Sequence, residues 1–366
     1  MATYLVTGGA GFIGRHLCAE LRAHGHDVRV IDSLVEQVHG GNLPALPDDV
    51  AFVRGDLRDN SLLKRLLRGV DGVFHLAAEV GVGQSMYEIA RYVGANDLGT
   101  AVLLEAITKE PIRRLVVASS MSVYGEGRYT TEDGIEPPIV RRGARQGASW
   151  DPVMPDGRKL VPIATHEAKQ PDLASIYALT KYVQEQSCLI IGNSYPIECV
   201  ALRLFNVFGP GQALSNPYTG VVANFGARLA NGQRPIVFED GRQRRDFVHV
   251  RDVARAFRLA METPAAAGHV INIGSGKAYK IGGIAEMLAG AMGVPDLRPM
   301  LLGQARAGDI RHCFADITKA RALLGFEPRL FLEESLAEIV GWIGASCAAD
   351  RGDDARRQLD AFGLIA

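Results

Sequence analysis

The chain has 366 residues, of which 47% are hydrophobic and 22% are charged, so it is long enough for one large α/β unit and a smaller second lobe. Its formal net charge of −1 gives no electrostatic reason to expect nucleic acid or a membrane surface as a partner. Five scattered cysteines without a CxxC pair, no basic export signal and no membrane-length apolar run predict a cytoplasmic protein without disulfides or a metal site.

The first predicted strand ends in a glycine-rich turn, in the stretch TYLVTGGAGFIGRHL, and a helical pattern starts at Phe12. Gly8, Gly11 and Gly14 are spaced as GxxGxxG between this strand and this helix. Glycines at such a turn let the backbone approach a pyrophosphate, and the helix N-terminus offers free N–H groups to it. The pattern therefore predicts a dinucleotide site.

The second predicted strand, DVRVID, ends at Asp32. A carboxylate at this point accepts a hydrogen bond from the ribose 2′-hydroxyl of NAD and repels the 2′-phosphate of NADP. The sequence therefore favours NAD, while the nearby Arg15 and Arg29 leave NADP open as an alternative.

Strands and helical patterns continue to alternate through the first half of the chain. Predicted strands end at Asp56 (VAFVRGD), Ala78 (GVFHLAA) and Ser120 (RRLVVASS). This alternation predicts an α/β fold with a Rossmann-type, doubly wound parallel sheet, whose ligands gather at the carboxyl ends of the strands. Asp56 and the HLAA turn are expected to face the cofactor, and His75 is interpreted as a structural histidine rather than a catalytic one.

The stretch SIYALTKYVQEQ has the pattern of an amphipathic helix and places Tyr177 and Lys181 on one face, four residues apart. A tyrosine acts as a base at neutral pH only if a fixed positive charge lowers its pKa from about 10. The spacing alone leaves two interpretations open, a solvated helix pair or a catalytic base with its cationic partner.

Motifs along nearly the whole chain resemble those of the extended short-chain dehydrogenase/reductase family that acts on nucleotide sugars. They are, in order, VTGGAGFIG, GDLRD, HLAA, VVASSMSVYG, YALTK, LRLFNVFGPGQ, RDFVHVRDVA and RAGDIRHCFAD. The resemblance implies tightly bound NAD, with Tyr177 as the base, Lys181 as its pKa partner and ribose contact, and Ser120 as the hydroxyl that binds the reacting oxygen. The cofactor contacts that it implies are Gly8, Gly11, Phe12, Ile13, Gly14, Asp32, Asp56, Leu57, Ala77, Ala78 and Asn96, besides Tyr177 and Lys181.

The same resemblance implies an NAD-binding domain over 1–205, interrupted by an insertion at 128–171, and a nucleotide-sugar-binding lobe over 206–366. It also implies a homodimer that forms through the helix starting near Arg91 and the helix that carries Tyr177. Arginines suit diphosphate binding because the guanidinium makes bidentate, permanently charged contacts, although each could instead form a surface salt bridge. The implied substrate contacts are Ser122, Asn206, Val222, Arg245, Arg306 and Asp309, and the segment 222–225 is expected to cover the base.

The segment after Ser120 bears on the reaction type. Relatives that eliminate water or decarboxylate carry carboxylates here, as in TDEVYG, whereas this chain has Met121 and Ser122 at those positions. Neither can act as a general acid or base, and Glu126 just beyond them is expected at the surface. Oxidation and reduction at one carbon need only Tyr177, Ser120 and the cofactor, so the residues favour a nucleotide-sugar 4-epimerase.

The stretch between Ser120 and Tyr177 is longer than in hexose epimerases of the family. It is rich in glycine, proline and charge, which predicts a loop or lid rather than a domain. Together with IDSLVEQVHGG, AAEVGVGQSMYEI and DDARRQLDAFGLIA, it is similar to the dTDP-L-rhamnose 4-epimerases, which form the 6-deoxy-L-talose nucleotide. We expect it to cross the active-site mouth, with a disordered surface loop as the alternative. The residues expected there are Trp150 or His166 near the sugar and Arg141, Arg142 or Arg145 near the diphosphate.

Three other functions remain open at this point. One is a 4-epimerase of a UDP-hexose, including glucose/galactose, N-acetyl or uronate forms. Another is a 4,6-dehydratase or decarboxylase that takes its carboxylate from Glu79 or Glu126. The third is a non-enzymatic NAD-binding protein, because folds outlive activities.

Overall fold

A computed structural model describes residues 1–40, 44–139, 149–214, 216, 218, 220–346 and 352–365. Within these residues we find no helix with the length and apolar character needed to cross a membrane. The strands are β1 Thr3–Thr7, β2 Asp27–Asp32, β3 Ala51–Arg54, β4 Gly72–His75, β5 Arg114–Ser120, β6 Arg128–Thr130, β7 Val161–Ile163, β8 Glu198–Leu204, β9 Asn206–Phe208, β10 Ile236–Val237, β11 Arg244–Arg245, β12 Phe247–His249, β13 Val270–Ile273, β14 Tyr279–Lys280, β15 Met300–Leu301 and β16 His312–Cys313.

The helices alternate with these strands in the first half and cluster in the second. They are α1 Phe12–Ala23, α2 Glu36–His39, α3 Asn60–Leu67, α4 Val82–Ser85, α5 Ile89–Tyr92, α6 Gly99–Ile107, α7 Ile176–Ser194, α8 Val221–Ala230, α9 Val250–Glu262, α10 Ile281–Ala291, α11 Thr318–Leu324, α12 Leu336–Gly344 and α13 Gly352–Ala361; a π-helical turn, Val93–Leu98, joins α5 to α6, and short 3₁₀ turns span Met121–Tyr124 and Pro264–Ala266.

Seven parallel strands form the central sheet in the order β13-β8-β5-β4-β1-β2-β3. Every residue of β5 is buried, as expected for a strand that is covered on both faces. The order reverses between β1 and β4, and this switch point is where doubly wound sheets bind their ligands. The predicted Rossmann-type fold is therefore confirmed.

Helices cover both faces of this sheet. On one face α1, α9 and α11 contribute to an apolar cluster with the strands, and on the other α3, α6 and α7 do so. A third cluster joins α8, α10 and α12 in a smaller lobe beside the sheet. Helix α7 therefore lies directly against the strand that ends at Ser120.

The chain crosses back into the sheet after residue 206. Helix α9 packs on α1, and β13 pairs with β8 in parallel register from Val270 with Ala201 to Ile273 with Leu204. The division into 1–205 and 206–366 stays a prediction, but the sheet itself contains strands from both sides of it.

Candidate active site

A cavity of about 440 Å³ opens at the carboxyl ends of β1, β2 and β4. Its size is within the range of sites that enclose small molecules and cofactors. All the predicted cofactor residues except Asn96 line it, which are Gly8, Gly11, Phe12, Ile13, Gly14, Asp32, Asp56, Leu57, Ala77, Ala78, Tyr177 and Lys181.

The glycine turn leaves no room for side chains on its inner side. Gly8 has φ +69°, and a Cβ atom there would lie 2.8 Å from the Ala77 nitrogen. A Cβ atom at Gly14 would lie 2.4 Å from the Gly8 carbonyl oxygen. Helix α1 begins directly after Gly11, and its first N–H groups are available to an anion. This cradle fits the pyrophosphate of a dinucleotide.

Asp32 is held at the end of β2 by the turns that follow β1 and β2. Its Oδ2 accepts a hydrogen bond from the Ala10 N–H at 3.1 Å, and its Oδ1 accepts one from the Leu34 N–H at 2.9 Å. The His39 Nε2 lies 3.5 Å from Oδ1. The carboxylate therefore lines the cavity in a fixed orientation, as a contact to a ribose hydroxyl requires.

Arg15 and Arg29, the two arginines that left NADP open as the cofactor, both donate hydrogen bonds to backbone carbonyl oxygens. Arg15 donates to the Gly211 carbonyl oxygen at 2.7 Å. Arg29 donates to the carbonyl oxygens of Leu66 at 3.0 Å and Arg68 at 2.6 Å. Neither cation is thus committed to a 2′-phosphate beside Asp32, which agrees with NAD.

His75 is buried in a polar network and does not line the cavity. Its Nδ1 lies 2.8 Å from the Thr7 Oγ1, and its Nε2 lies 2.8 Å from the Thr100 Oγ1 and 3.1 Å from the Gln184 Nε2. Burial and, to a smaller extent, the Lys181 charge together lower the pKa of His75 to about 3. The imidazole is therefore neutral and structural, as interpreted from the sequence.

Asn96 lies behind the cofactor cavity, in the π-helical turn. Its Oδ1 accepts from the Glu79 N–H at 2.7 Å, and its Nδ2 donates to the Glu79 carbonyl oxygen at 3.1 Å and the Thr180 Oγ1 at 2.9 Å. These bonds tie the loop after β4 to α7. The structure thus places Asn96 as a support for the cavity wall, and a direct cofactor contact stays a prediction.

Ser120, Tyr177 and Lys181 converge where β5 ends against α7. The Ser122 hydroxyl donates to the Ser120 Oγ at 2.9 Å, and the Ser120 hydroxyl lies near the Tyr177 phenol. Burial raises the pKa of Tyr177, and the Ser120 hydroxyl acts in the opposite direction. The three hydroxyls therefore lie together at the end of β5.

Gln184 positions the Lys181 ammonium, and the sequence analysis missed it. The buried Lys181 Nζ donates to the Gln184 Oε1 at 2.7 Å, while the Gln184 Nε2 donates to the Thr100 Oγ1 at 2.8 Å. Burial lowers the pKa of Lys181 to about 8, because the charged form loses water. The spacing of three residues on α7 was the available signal, since it places both side chains on one face.

A second cavity, of about 410 Å³, meets the first at Ser120 and Tyr177. Among the predicted substrate residues, Ser122, Asn206, Arg245, Arg306 and Asp309 line it. Val222 lines the cofactor cavity, its neighbour Val221 lines both cavities, and Asn224 and Phe225 of the same helix line the second cavity. The expected role of the segment 222–225 as a cover for the base stays a prediction.

The predicted arginines of this second cavity are held in place by neighbouring groups. Arg245 donates to the carbonyl oxygens of Arg244 at 3.0 Å and Arg311 at 2.8 Å. Arg306 forms an ion pair with Asp309 at 3.0 Å, and its guanidinium lies 4.6 Å from the Phe238 ring centroid. Their guanidinium groups are therefore oriented before a ligand enters.

The carboxylates considered for elimination chemistry are engaged elsewhere. Glu126 is fully buried rather than exposed, and its carboxylate accepts from the Tyr129 hydroxyl at 2.7 Å and the His312 N–H at 3.2 Å. Glu79 forms an ion pair with Arg91 at 2.8 Å. Among the described residues, Asp309 is the only carboxylate that lines the second cavity. The expected surface position of Glu126 was wrong, because its carboxylate accepts from the backbone N–H groups of Arg311 and His312, at the start of β16.

The insertion does not cross the mouth of the second cavity in the part that the structure describes. Strands β6 and β7 pair antiparallel, and Asp151 joins Arg311 at 2.6 Å and His312 at 3.1 Å. Neither Trp150 nor His166 lines either cavity, so the expected position beside the sugar is corrected. The predicted contacts from Arg141, Arg142 and Arg145 lie outside the described residues.

The C-terminal helix α13 supplies a cavity wall that the sequence analysis did not assign. Four of its residues, at positions 352, 355, 356 and 359, line the second cavity, and so does Arg228 of α8. The motif DDARRQLDAFGLIA was noticed as a family similarity, but nothing local in it specifies which distant cavity it covers. Residues brought together only by tertiary packing leave no short-range signal.

Comparisons with known proteins agree with this geometry. The sequence matches the NAD dependent epimerase/dehydratase family over residues 4–143 and 148–274. It is 36% identical to a dTDP-L-rhamnose 4-epimerase of Burkholderia thailandensis over 93% of this chain and 94% of that protein. Among solved structures, UDP-glucose 4-epimerase of Thermotoga maritima with UDP-glucose gives a TM-score of 0.77 at 31% identity, over 93% of this chain and 98% of the other.

A third relative is a UDP-glucuronic acid 4-epimerase of Bacillus cereus, solved with UDP-glucuronic acid and NAD. It gives a TM-score of 0.77 at 29% identity, over 93% of this chain and 99% of the other. With a glycine cradle, a fixed Asp32 and a Ser-Tyr-Lys site at the meeting point of two cavities, the chain belongs to the NAD dependent epimerase/dehydratase family of enzymes and uses NAD as its cofactor.

Proposed function

We propose that this enzyme is a 4-epimerase of a nucleotide sugar and that it interconverts dTDP-L-rhamnose and dTDP-6-deoxy-L-talose through a 4-keto sugar. The observation that carries the proposal is the position of Ser120 and Tyr177 at the junction of the two cavities. The second cavity, which we call the sugar-side cavity, also offers no unpaired carboxylate among the described residues, since Asp309 is bound to Arg306. The 36% identity to the Burkholderia enzyme supports the choice of sugar and nucleotide.

The residues at the junction would move the proton of the C4 hydroxyl. Bound NAD would supply the group that accepts a hydride and returns it to the same carbon. Tyr177 takes the hydroxyl proton as its phenolate and gives it back on the return step. Ser120 donates to the C4 oxygen as it becomes a carbonyl, and Ser122 supports Ser120 from behind.

The Tyr177 phenolate needs help from positive charge. Because burial raises its pKa, the side chains around Tyr177 alone keep the phenol protonated near neutral pH. We assign the opposing charge to Lys181, which Gln184 holds on the same helix face one turn away. Loss of this charge would remove the base without removing the tyrosine.

The reaction class can be tested with a panel of dTDP, UDP and GDP sugars, analysed by mass spectrometry and NMR. We expect a product of unchanged mass, inverted at C4, with the highest kcat/KM for dTDP-L-rhamnose. Purified enzyme should carry stoichiometric NAD(H), and turnover should proceed without added NAD⁺. A product lighter by one water or one carbon dioxide would replace the proposal with a dehydratase or a decarboxylase, and free NADH accumulating with product would exclude epimerisation.

A UDP-hexose is the second candidate substrate. Solved relatives at 31% and 29% identity were crystallised with UDP-glucose and UDP-glucuronic acid, respectively. A higher kcat/KM for one of these nucleotides than for dTDP-L-rhamnose would retain the epimerase and reject the rhamnose assignment. Absence of turnover with the whole panel would favour a non-enzymatic NAD-binding protein.

We further propose that the enzyme is a homodimer that forms through α7 and the helix from Ile89 to Ile107. These helices expose apolar side chains, among them Leu98 at 52% and Ile190 at 61%. Leu98→Glu should convert the dimer to a monomer in light scattering. The matched control is Leu301→Glu, since Leu301 is 53% exposed on β15. A wild-type mass of one chain at micromolar concentration would contradict the proposal.

A further inference from the structure

Helix α13 closes one side of the sugar-side cavity with both charged and apolar groups. Ala355 and Leu359 are buried against the rest of the protein, and Arg356 lies between them on the cavity side. A Cβ atom at Gly83, in α4, would lie only 3.0 Å from the Leu359 Cδ2. The helix therefore packs directly onto the cavity rather than lying on the outer surface.

Both ends of this segment are attached to separate parts of the molecule. At its start, the Asp353 Oδ2 lies 3.4 Å from the Arg228 Nη1. After its end, Phe362 stacks on Tyr87 with ring centroids 4.6 Å apart and planes 9° apart. The Leu364 carbonyl oxygen then accepts from the Ala307 N–H at 2.9 Å. The segment thus bridges α8 and the region of α4 and Tyr87 across the cavity.

Tyr218 connects α13 to the cofactor side. Its hydroxyl donates to the Gln358 Oε1 at 2.6 Å and is also hydrogen-bonded to the Tyr87 hydroxyl. Tyr218 lines both cavities. The placement of α13 is therefore coupled to a side chain that touches the wall of the cofactor site.

Side chains along α13 contact α8 near its start and α4 near its end. Asp353, Arg356 and Leu359 are three residues apart, which puts them on one face with a rise of about 4.5 Å per step. Asp353 lies at Arg228, on the helix whose start is expected to cover the base, and Leu359 lies at Gly83. Arg356 therefore faces the middle of the cavity, between its base end and its sugar end.

Arg356 differs from the other arginines of the cavity. Arg228, Arg245 and Arg306 each bond a carboxylate or carbonyl oxygens of the protein. The described part of the chain offers Arg356 no hydrogen-bond acceptor and no carboxylate within ion-pair distance. A cation without a protein partner in a cavity lined by three more arginines is a site for an anion.

We propose that α13 completes the substrate site, with Arg356 binding the diphosphate of the nucleotide sugar and Leu359 forming an apolar wall at the sugar. The inference rests on the proposed function, because it takes the ligand to be a nucleotide sugar. It assigns a ligand contact to the C-terminal segment, far in sequence from the other arginines. The apolar wall suits a 6-deoxy sugar, which presents a methyl group where a hexose presents a hydroxyl.

The test compares Arg356→Gln with Arg357→Gln in the NAD-loaded enzyme. Arg357 is the matched control, because its side chain is 74% exposed and pairs with Asp354 on the same helix. Calorimetric titration uses dTDP, UDP and thymidine. Loss of one charge-assisted contact should weaken the diphosphates about tenfold or more in Arg356→Gln and leave thymidine unchanged. Arg357→Gln should bind like wild type, and thermal unfolding should be the same for all three proteins.

Several results would overturn the inference. These are unchanged diphosphate affinity in Arg356→Gln, an equal loss in Arg357→Gln, or no binding of either diphosphate by the wild type. The titration needs no turnover, so it is independent of whether the enzyme proves to be an epimerase. If turnover is found, Arg356→Gln should raise KM for the nucleotide sugar more than it lowers kcat, since the contact is distant from C4.

Discussion

The two cavities of this enzyme are built in different ways. The cofactor cavity is formed in part by backbone turns at the ends of β1, β2, β3 and β4, within the first 80 residues, and in part by residues of β5, α7 and the segments 204–207 and 220–222. The sugar-side cavity is formed by long side chains from the loop after β4, β5, α8, β11, the segment 306–310 and α13. A backbone site depends on local conformation, whereas a side-chain site depends on the packing of distant segments. Substitutions should therefore act on the two cavities in separable ways.

Tyr177, which belongs to both cavities, should give the largest effect. Tyr177→Phe removes the base and one hydroxyl but leaves both cavity walls in place, so we expect kcat to fall about a thousandfold while NAD stays bound. Turnover is measured by chromatography of the sugar nucleotides, and NAD by its release on denaturation. Tyr182→Phe, on the same helix, serves as the control and should keep full activity. A near-normal rate in Tyr177→Phe would refute the mechanism.

Gly14→Ala should damage the backbone-built cavity alone. Its Cβ would lie 2.4 Å from the Gly8 carbonyl oxygen, so the turn must move and NAD should be lost on purification. Gly290→Ala in α10 is the matched control, because no atom lies within 4 Å of the added Cβ. Titration with dTDP should still detect the sugar-side cavity in Gly14→Ala. Retention of stoichiometric NAD would show that the turn is not the pyrophosphate cradle.

Retention of NAD should also decline as the pH rises through about 8. Burial lowers the Lys181 pKa to about 8, so the ammonium is mostly charged at pH 7 and mostly neutral at pH 9. We expect NAD to dissociate several-fold faster at pH 9, measured by fluorescence of released cofactor with an excess of trap. Lys181→Gln should bind NAD weakly at both pH values.

The contribution of Lys181 to the free energy of unfolding should rise with pH, whereas the retention of NAD should fall. Because its folded pKa lies below the unfolded value of about 10.5, the unfolded chain binds more protons between these values, and stability rises with pH across that window. Cofactor loss at pH 9 is thereby distinguished from unfolding. Equal NAD retention at pH 7 and 9 would show that the ammonium does not contact the cofactor.

The smallest effect is expected for the insertion. Asp151→Asn removes an ion pair with Arg311, but Arg311 retains its ion pair with Glu239 at 2.8 Å. The Asp151 side chain is also 48% exposed, so water weakens the pair that is lost. We expect a loss of at most about 1 kcal/mol in the free energy of unfolding, with kcat and KM unchanged. Asp156→Asn, in the same insertion, should change neither. A raised KM in Asp151→Asn would show that the insertion contributes to substrate binding after all.

The features that could be predicted from the sequence are mostly those that local backbone conformation determines, and the features that could not are contacts between distant side chains. The sheet, Gly8, Gly14 and Asp32 were predictable, because strand–turn–helix units carry their pattern within a few residues. Tyr177 was predictable only together with the family motifs, since two residues at helical spacing are a weak signal alone.

What the sequence missed depends on contacts between distant segments. Glu126 was expected at the surface, because nothing near it in the sequence indicates that the backbone N–H groups of Arg311 and His312 lie against its carboxylate. The role of α13 required knowing that Leu359 reaches Gly83 across the molecule. The insertion was expected at the active site because of its length and composition, and neither property encodes the ion pair that attaches Asp151 to Arg311.

The return of the chain to the central sheet has a consequence for how the protein folds. Because β13 lies beside β8 and α9 covers α1, the first-synthesised strands cannot be fully enclosed until residue 273 has left the ribosome. A nascent chain that ends near residue 205 would expose β8 as an unpaired edge and the apolar face of α1, which are features that promote aggregation. We expect such a fragment to need chaperones, whereas a chain that extends beyond β13 can close its sheet.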